Sequence, residues 1–458
     1  MPAPPVLRLR RLDLAAAAEP ETAAALAAMT RRGAVPDPAV REAVRHILDD
    51  VRRDPSAAAR AANARFGGGA ADGRLVLGRA ELAEAARALE PRVRVALEQA
   101  IEHVTRFARD QRPETTRTQV ADGIEIERRW EPLDSVGAYV PGGSAPYPSS
   151  LVMTVAPARV AGVGRIVVAS PAGRDGAPNA VVLGAAGLLG VDAFVVAGGA
   201  QAIGALAFGL PDDKLEPVDR IVGPGNAWVT AAKLELAAEV GIDLPAGPSE
   251  GMVLADAAAD PVTVAADLIT QAEHGPDSPA ILVTTDTALA DAVETAVGRR
   301  LATAVRSSIL ERALMAHGAI VLAPNLDAAI DFVNRYAPEH LSVDVEPLEA
   351  TVARLRHAGS LFVGRWAPES AGDYATGANH VLPTGGLARA CGPLEVGTFG
   401  HYVQVQRVTR DGLAGIRETI RTLATAEGLL AHRDAVEARF ADPTPPATEQ
   451  RASSEPDR

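Results

Sequence analysis

Cysteine is nearly absent: Cys391 is the single one among 458 residues. An internal disulfide and any multi-thiolate metal site are thereby excluded, and a bound metal has to be held by His, Asp, Glu or Gln. Aromatic residues are scarce too, at 3%. The core must come from Ala, Val, Leu and Ile, which suits helices packed on a parallel sheet. Basic residues are the minority charge. Lys and Arg number 45 against 58 Asp and Glu, a net charge of −13, which argues against nucleic acid or an anionic membrane as partner. No apolar run approaches the ~20 residues of a membrane span. Arg8, Arg10 and Arg11 are followed by Ala/Glu-rich sequence, not by the long apolar stretch of a signal peptide. A soluble, cytoplasmic protein is expected.

What the chain does have is alternation between helical and strand periodicity. Apolar residues at helical spacing predict helices over 38–53, to Phe66, over 79–89 and over 93–111, with a loosely ordered start before residue 30. From Gly164 onward short apolar strands at 165–169, 193–197 and 220–222 alternate with helices at 179–189, 201–208 and 226–240. A second series follows, with strands at 252–255, 280–284, 319–322, 341–343 and 360–363 and helices between them. Two α/β halves with parallel-type, Rossmann-like sheets are therefore expected. The dinucleotide fingerprint is missing: Gly162-Val-Gly164 precedes a strand, and Val167 stands at its third glycine. Two glycine turns after strands, Gly198-Gly199-Ala200-Gln201 and Gly223-Pro224-Gly225-Asn226, could instead bring backbone close to a ligand, or be plain tight turns. Residues 136–150 read as a shaped loop that either binds an anion at the following helix or simply connects.

Nine histidines are present. His46, His103, His317 and His357 lie in amphipathic helical stretches and need no function. Gln271-Ala-Glu-His274 puts an amide and an imidazole on one face of a helix that Gly275-Pro276 ends. Pro338-Glu339-His340 sets a carboxyl beside an imidazole just before a strand. Asp373 and His380 share a glycine-punctuated loop, and Glu427 and His432 lie on or beside a helix. Imidazoles with a carboxylate suit a borderline cation such as zinc, although chain spacing alone leaves capping or core histidines equally open.

Taken together, these stretches resemble the histidinol dehydrogenase family. The likeness rests on Tyr139-Val-Pro-Gly-Gly, Gly199-Ala-Gln-Ala-Ile, Gly223-Pro-Gly-Asn226, Pro245-Ala-Gly-Pro-Ser249-Glu, Gln271-Ala-Glu-His274, Pro338-Glu-His340-Leu and the run Gly372–His380. It spans about residues 40–440. The resemblance implies zinc held by Gln271, His274, Asp373 and His432, and Glu339 and His340 as the acid–base pair. It implies substrate contacts at Ser249, His380 and Glu427 in addition to the metal and acid–base residues, and NAD contacts at Tyr139, Gln201 and Asn226. It implies oxidation of L-histidinol through L-histidinal to L-histidine with two NAD, in a homodimer whose C-terminal segments cross over. The organisation expected is an N-terminal extension over 1–31, a first αβ domain from 32–138 with 252–394, and a second over 139–251. A dimerisation segment over 395–440 and a disordered tail over 441–458 complete it. One departure stands near the site: Cys391–Val396 replaces the usual Ser-Ser-Gly-Leu-Ser-Val run. It motivates the alternative of a paralogue that oxidises another small alcohol or a sulfonated diol with the same zinc and NAD chemistry.

Overall fold

The computed structural model describes residues 8–33, 35–142 and 145–441. The tail expected from residue 441 falls, past Ala441, outside them. The chain forms two compact units, one from the segments ending at Pro113 and running Pro132–His401, the other from Glu114–Glu131 and Tyr402 onward.

The larger unit holds two six-stranded sheets. In one, the strands are ordered Arg10–Asp13, Gly318–Leu322, Ala280–Thr284, Gly251–Ala255, His340–Asp344 and Ser360–Val363, all parallel. In the other they run Val76–Gly78, Ala193–Val196, Arg165–Ser170, Ser135–Tyr139, Arg220–Val222 and Gly241–Ile242, parallel except for the first. Setting aside the added edge strands, both sheets have the chain order 3-2-1-4-5, doubly wound like a Rossmann sheet. Strand interiors are continuous Val, Ile, Leu and Ala because helices cover both faces: Ile166, Val167 and Val168 are all fully buried.

The structure divides the N-terminal segment differently from the expected organisation. Helices Pro38–Arg53, Arg79–Arg87 and Pro91–Asp110 pack on the helices of the second sheet, not of the first. Their apolar stripes decide this. Val44 and Leu48 enter one core with Ile203 and Leu206, and Leu82, Leu97 and Val104 enter another with Phe194. At Gly187 a Cβ would stand 2.0 Å from the Leu82 carbonyl oxygen, so only glycine lets Arg79–Arg87 approach Ala180–Leu188 this closely. Conversely, residues 10–30 are not loose. Arg10–Asp13 forms the edge strand of the first sheet, and the helix Pro20–Thr30 follows it.

The smaller unit is an antiparallel pair, Thr116–Ala121 with Ile124–Pro132, joined by the strand Gly400–Val408 and two helices, Arg410–Ala426 and Leu430–Glu437. The buried carboxylate of Glu127 accepts from Arg117 (3.0 Å) and Arg407 (2.9 Å), which ties the three strands together. His401, which the sequence left unassigned, lies in the last of these strands and is exposed. Among the described residues no helix is long and apolar enough to cross a membrane.

Candidate functional site

Two places in the larger unit concentrate the motif residues. The first lies at the carboxyl ends of the second sheet, where strand order reverses between Ser135–Tyr139 and Arg220–Val222. A cavity of about 450 Å³ opens there, lined by Phe66, Gly68, Tyr139, Gly199, Gln201 and Trp228 among others. Part of the segment read as a loop is the strand Ser135–Tyr139, buried throughout; its Gly143 and Ser144 lie outside the described residues. The Tyr139 hydroxyl accepts from the Gly199 N–H at 3.3 Å. Gln201 is buried and donates to Asn63 Oδ1 at 3.2 Å. Asn226 caps the helix Ala227–Leu236, accepting from the N–H groups of Trp228 and Val229. Gly223 sits at φ +109°, and a Cβ there would stand 2.2 Å from the Tyr139 carbonyl oxygen. Its N–H donates to Asp243 and its carbonyl accepts from Lys233, two fully buried groups that also pair with each other. Backbone approach, the helix Gly199–Phe208 that starts without a side-chain cap and a position at the sheet's switch point fit a dinucleotide.

The second place lies at the opposite, amino ends of the first sheet. Gly251 and His340 start adjacent parallel strands and sit side by side. The helix Pro261–Glu273 ends nearby and presents Gln271; His274 caps it. Gln271 is buried. Its Nε2 donates to Ser249 Oγ (3.3 Å), and its Oε1 lies 3.3 Å from His340 Nδ1. An acceptor at that distance selects the tautomer with the proton on Nδ1, which leaves His340 Nε2 as a basic nitrogen without a hydrogen-bond partner among the described residues. Burial pushes His340 well below the ordinary imidazole range, and His274 and His380 push it further. Glu339 accepts from the Glu250 N–H at 2.9 Å, yet burial raises its carboxyl well above the usual carboxylate range.

Glu369 completes this place, and the sequence reading missed it. It is buried, opens the short helix Glu369–Tyr374, and lies 3.7 Å from His274 Nδ1 and 3.9 Å from His340 Nδ1. Burial raises it strongly, then Asp373 and Glu339 add to the rise. The signal was available: Glu369 precedes Asp373 by one helical turn, so both carboxylates share a face. His274, Glu369 and Asp373 bring ligand atoms within 4.8 Å of one another. His380 is tied to this loop through the Asp373 carbonyl (3.0 Å) and to Ser150 Oγ (3.2 Å). Glu369 Oε1 is buried without a hydrogen-bond partner among the described residues. Crowded carboxylates beside imidazoles are a donor set that suits a divalent cation, so the residues fit a metal.

Ser249, Gln271, His274, Glu339, His340, Asp373 and His380 thus come together around one cluster. Tyr139, Gln201 and Asn226 line the other cavity. Glu427 and His432 belong to the smaller unit, where both are exposed.

One turn before Gln271, Asp267 is pushed up to about 6 from its usual 3.8, by burial first and Asp344 second. The folded state therefore keeps this proton longer than the unfolded chain, and the carboxylate costs stability as pH rises from about 4 to 6. The rise corresponds to about 3 kcal/mol at most. Asp267→Asn is expected to stabilise the protein by about 1–3 kcal/mol at pH 8 and to do nothing at pH 4. Urea unfolding at the two pH values checks it; equal effects at both would refute the assignment.

Two doubly wound halves, one with a glycine-lined cleft and one with a carboxylate–imidazole cluster, define a Rossmann-like α/β protein with two candidate ligand sites. The family model described as histidinol dehydrogenase matches residues 30–440. The chain is 44% identical over 440 residues to the histidinol dehydrogenase of Nocardia farcinica, covering 95% of this chain and 98% of that one. It is also 44% identical over 405 residues to that of Halobacterium salinarum, covering 88% and 94%. The crystal structure of histidinol dehydrogenase from Elizabethkingia anophelis superposes with a TM-score of 0.86 at 33% identity, covering 94% of this chain and 98% of that one. The chain belongs to the histidinol dehydrogenase family.

Proposed function

We propose that the protein oxidises L-histidinol through L-histidinal to L-histidine, using NAD twice and one zinc ion per subunit, as a cytoplasmic enzyme at the end of histidine biosynthesis. The observation that carries this reading is the Glu339–His340 pair, held at a strand start beside the His274, Glu369 and Asp373 cluster. Gln271, His274 and Asp373 would hold the metal, with Glu369 as a further carboxylate. His432 and Glu427, exposed in their own unit, would come from the second copy of a homodimer. When bound, the metal supplies a Lewis acid that orients the amine and imidazole of the substrate, and NAD supplies the hydride acceptor in the Tyr139–Gln201–Asn226 cleft.

The chain's own residues do the proton work. His340 Nε2 is unprotonated and free, so it takes the proton of the alcohol as the carbon gives up hydride. Glu339 takes a proton from the water that adds to the aldehyde, and the hydrate loses the second hydride to become the acid. Ser249 and His380 flank the cluster as substrate contacts, each already bonded to a metal-site residue.

The Cys391–Val396 stretch bears on the paralogue reading. Leu394 and Val396 are buried in the core of the second sheet, and Cys391, Gly392 and Pro393 are exposed. Leu394 N–H donates to Val381 O at 2.9 Å. Leu394 and Val396 match the usual run, and the residues that differ, Cys391, Gly392, Pro393 and Glu395, are all exposed, which supports histidinol over a diol. Steady-state turnover of L-histidinol against a panel of amino alcohols and sulfonated diols tests this. Preference for a diol by the metal-loaded protein would move the assignment to a paralogue.

A further inference from the structure

Glu339 is fixed by two backbone segments. Its carboxylate accepts from the N–H of Glu250, and its own peptide follows Ala337-Pro338 out of the helix Leu326–Tyr336. The Glu250 carbonyl in turn accepts from the His340 N–H at 3.1 Å. Neither segment is self-supporting. Ala337 sits at φ +54°, a left-handed conformation that non-glycine residues avoid. Glu250 is a buried carboxylate at the very start of a parallel strand.

One side chain reaches both. Arg32, just past the helix Pro20–Thr30, grips Glu250 bidentately, Nε to Oε2 at 2.6 Å and Nη2 to Oε1 at 2.7 Å. Nη2 also donates to the Ala337 carbonyl at 3.3 Å, and the guanidinium lies 3.3 Å over the Tyr336 ring. The second Glu250 oxygen contact is the Gly385 N–H at 3.1 Å, so this carboxylate is held by Arg32 and by one backbone donor. A planar fork that binds a carboxylate, a carbonyl and a ring face is geometry that lysine cannot copy.

We propose that Arg32 is a positioning residue for Glu339: it clamps Glu250 and Ala337, the two points from which the Glu339 carboxylate is hung. Its partners here are Glu250, the Ala337 carbonyl and the Tyr336 ring, none of them assigned to substrate, metal or NAD. The inference rests on the reading that Glu339 serves the aldehyde step. Loss of the clamp moves the Glu339 carboxylate more than His340, whose backbone shares the Glu250 contact but whose ring is held by Gln271 and whose strand keeps its ladder with Ser360. Misplacement of a reacting group by about 1 Å costs about 10²-fold in rate.

The test is to assay the two half-reactions separately, L-histidinol to the aldehyde and L-histidinal to the acid, in Arg32→Ala, Arg32→Lys and Glu339→Gln. Arg32→Ala is expected to lose about 10²-fold in kcat for the aldehyde step and far less for the alcohol step, with KM little changed. Added guanidinium should restore much of the loss, which repair of general stability would not do selectively. Arg32→Lys, the milder change, should fall between wild type and Arg32→Ala. Equal loss in both steps without rescue, or a fully active Arg32→Lys, overturns the proposal. If Arg32→Ala does not fold, the ranking of Arg32→Lys against wild type decides alone. Glu339→Gln separates the two ideas. If it spares the aldehyde step, the role of Glu339 is wrong; if it abolishes that step while Arg32→Ala is normal, only the clamp is wrong.

Discussion

His340→Gln is expected to lose about 10²–10⁴-fold in the oxidation of L-histidinol and to retain oxidation of added L-histidinal, whereas Glu339→Gln should show the reverse. The expectation follows from two neighbouring side chains with opposite preparation. Burial keeps His340 neutral, and the Gln271 amide oxygen holds its proton on Nδ1, so Nε2 is available as a base. Glu339 is buried and raised well above the usual carboxylate range, which makes it a stronger base than an ordinary carboxylate. Each half-reaction is followed by NADH absorbance, starting from the alcohol or from the aldehyde. Equal losses of both steps in both variants would sink the division of labour.

The second large effect concerns the metal. Asp373→Asn and Glu369→Gln are expected to weaken zinc binding by at least about 10–100-fold, measured by competition with a chromophoric chelator. Without a cation Glu369 is raised by burial, by Asp373 and by Glu339, so it keeps its proton to higher pH than an ordinary carboxyl, and a divalent ion would drive that proton off. Zinc added to the stripped protein in weak buffer should therefore release protons, and Glu369→Gln should release fewer. Unchanged zinc affinity in both variants would remove these carboxylates from the metal site.

Much of this was visible in the chain before its folding. Strands 220–222, 280–284 and 360–363 are short apolar runs closed by glycine or aspartate turns, and they fall where periodicity puts them. Among the elements the sequence hid, three were hidden for distinct reasons. Ser135–Tyr139 carries Gly137, and a Cβ there would crowd Leu206 and Val218 at about 3 Å, so a residue that looks like loop punctuation is a packing requirement. Arg10–Asp13 is a charged edge strand with no alternation to betray it. The helix Ser307–His317 begins without a side-chain cap, the usual sign of a start.

The site was legible where dense motifs lay and illegible where long-range pairing made it. Gln271, His274, Glu339, His340, Asp373 and His380 were all recognisable from local sequence. Arg32 was not, because its partner Glu250 is 218 residues away and no local pattern connects them. The assignment of helices 38–110 to the second sheet was equally non-local, since it depends on which core their apolar stripes complete.

The most direct measurement is the stoichiometry of complete L-histidinol oxidation by the zinc-loaded protein, with the product identified, before and after chelation. Two NADH per histidinol with histidine as product, lost on chelation and regained with zinc, is the expected result. One NADH with aldehyde released, or turnover indifferent to chelation, would contradict it.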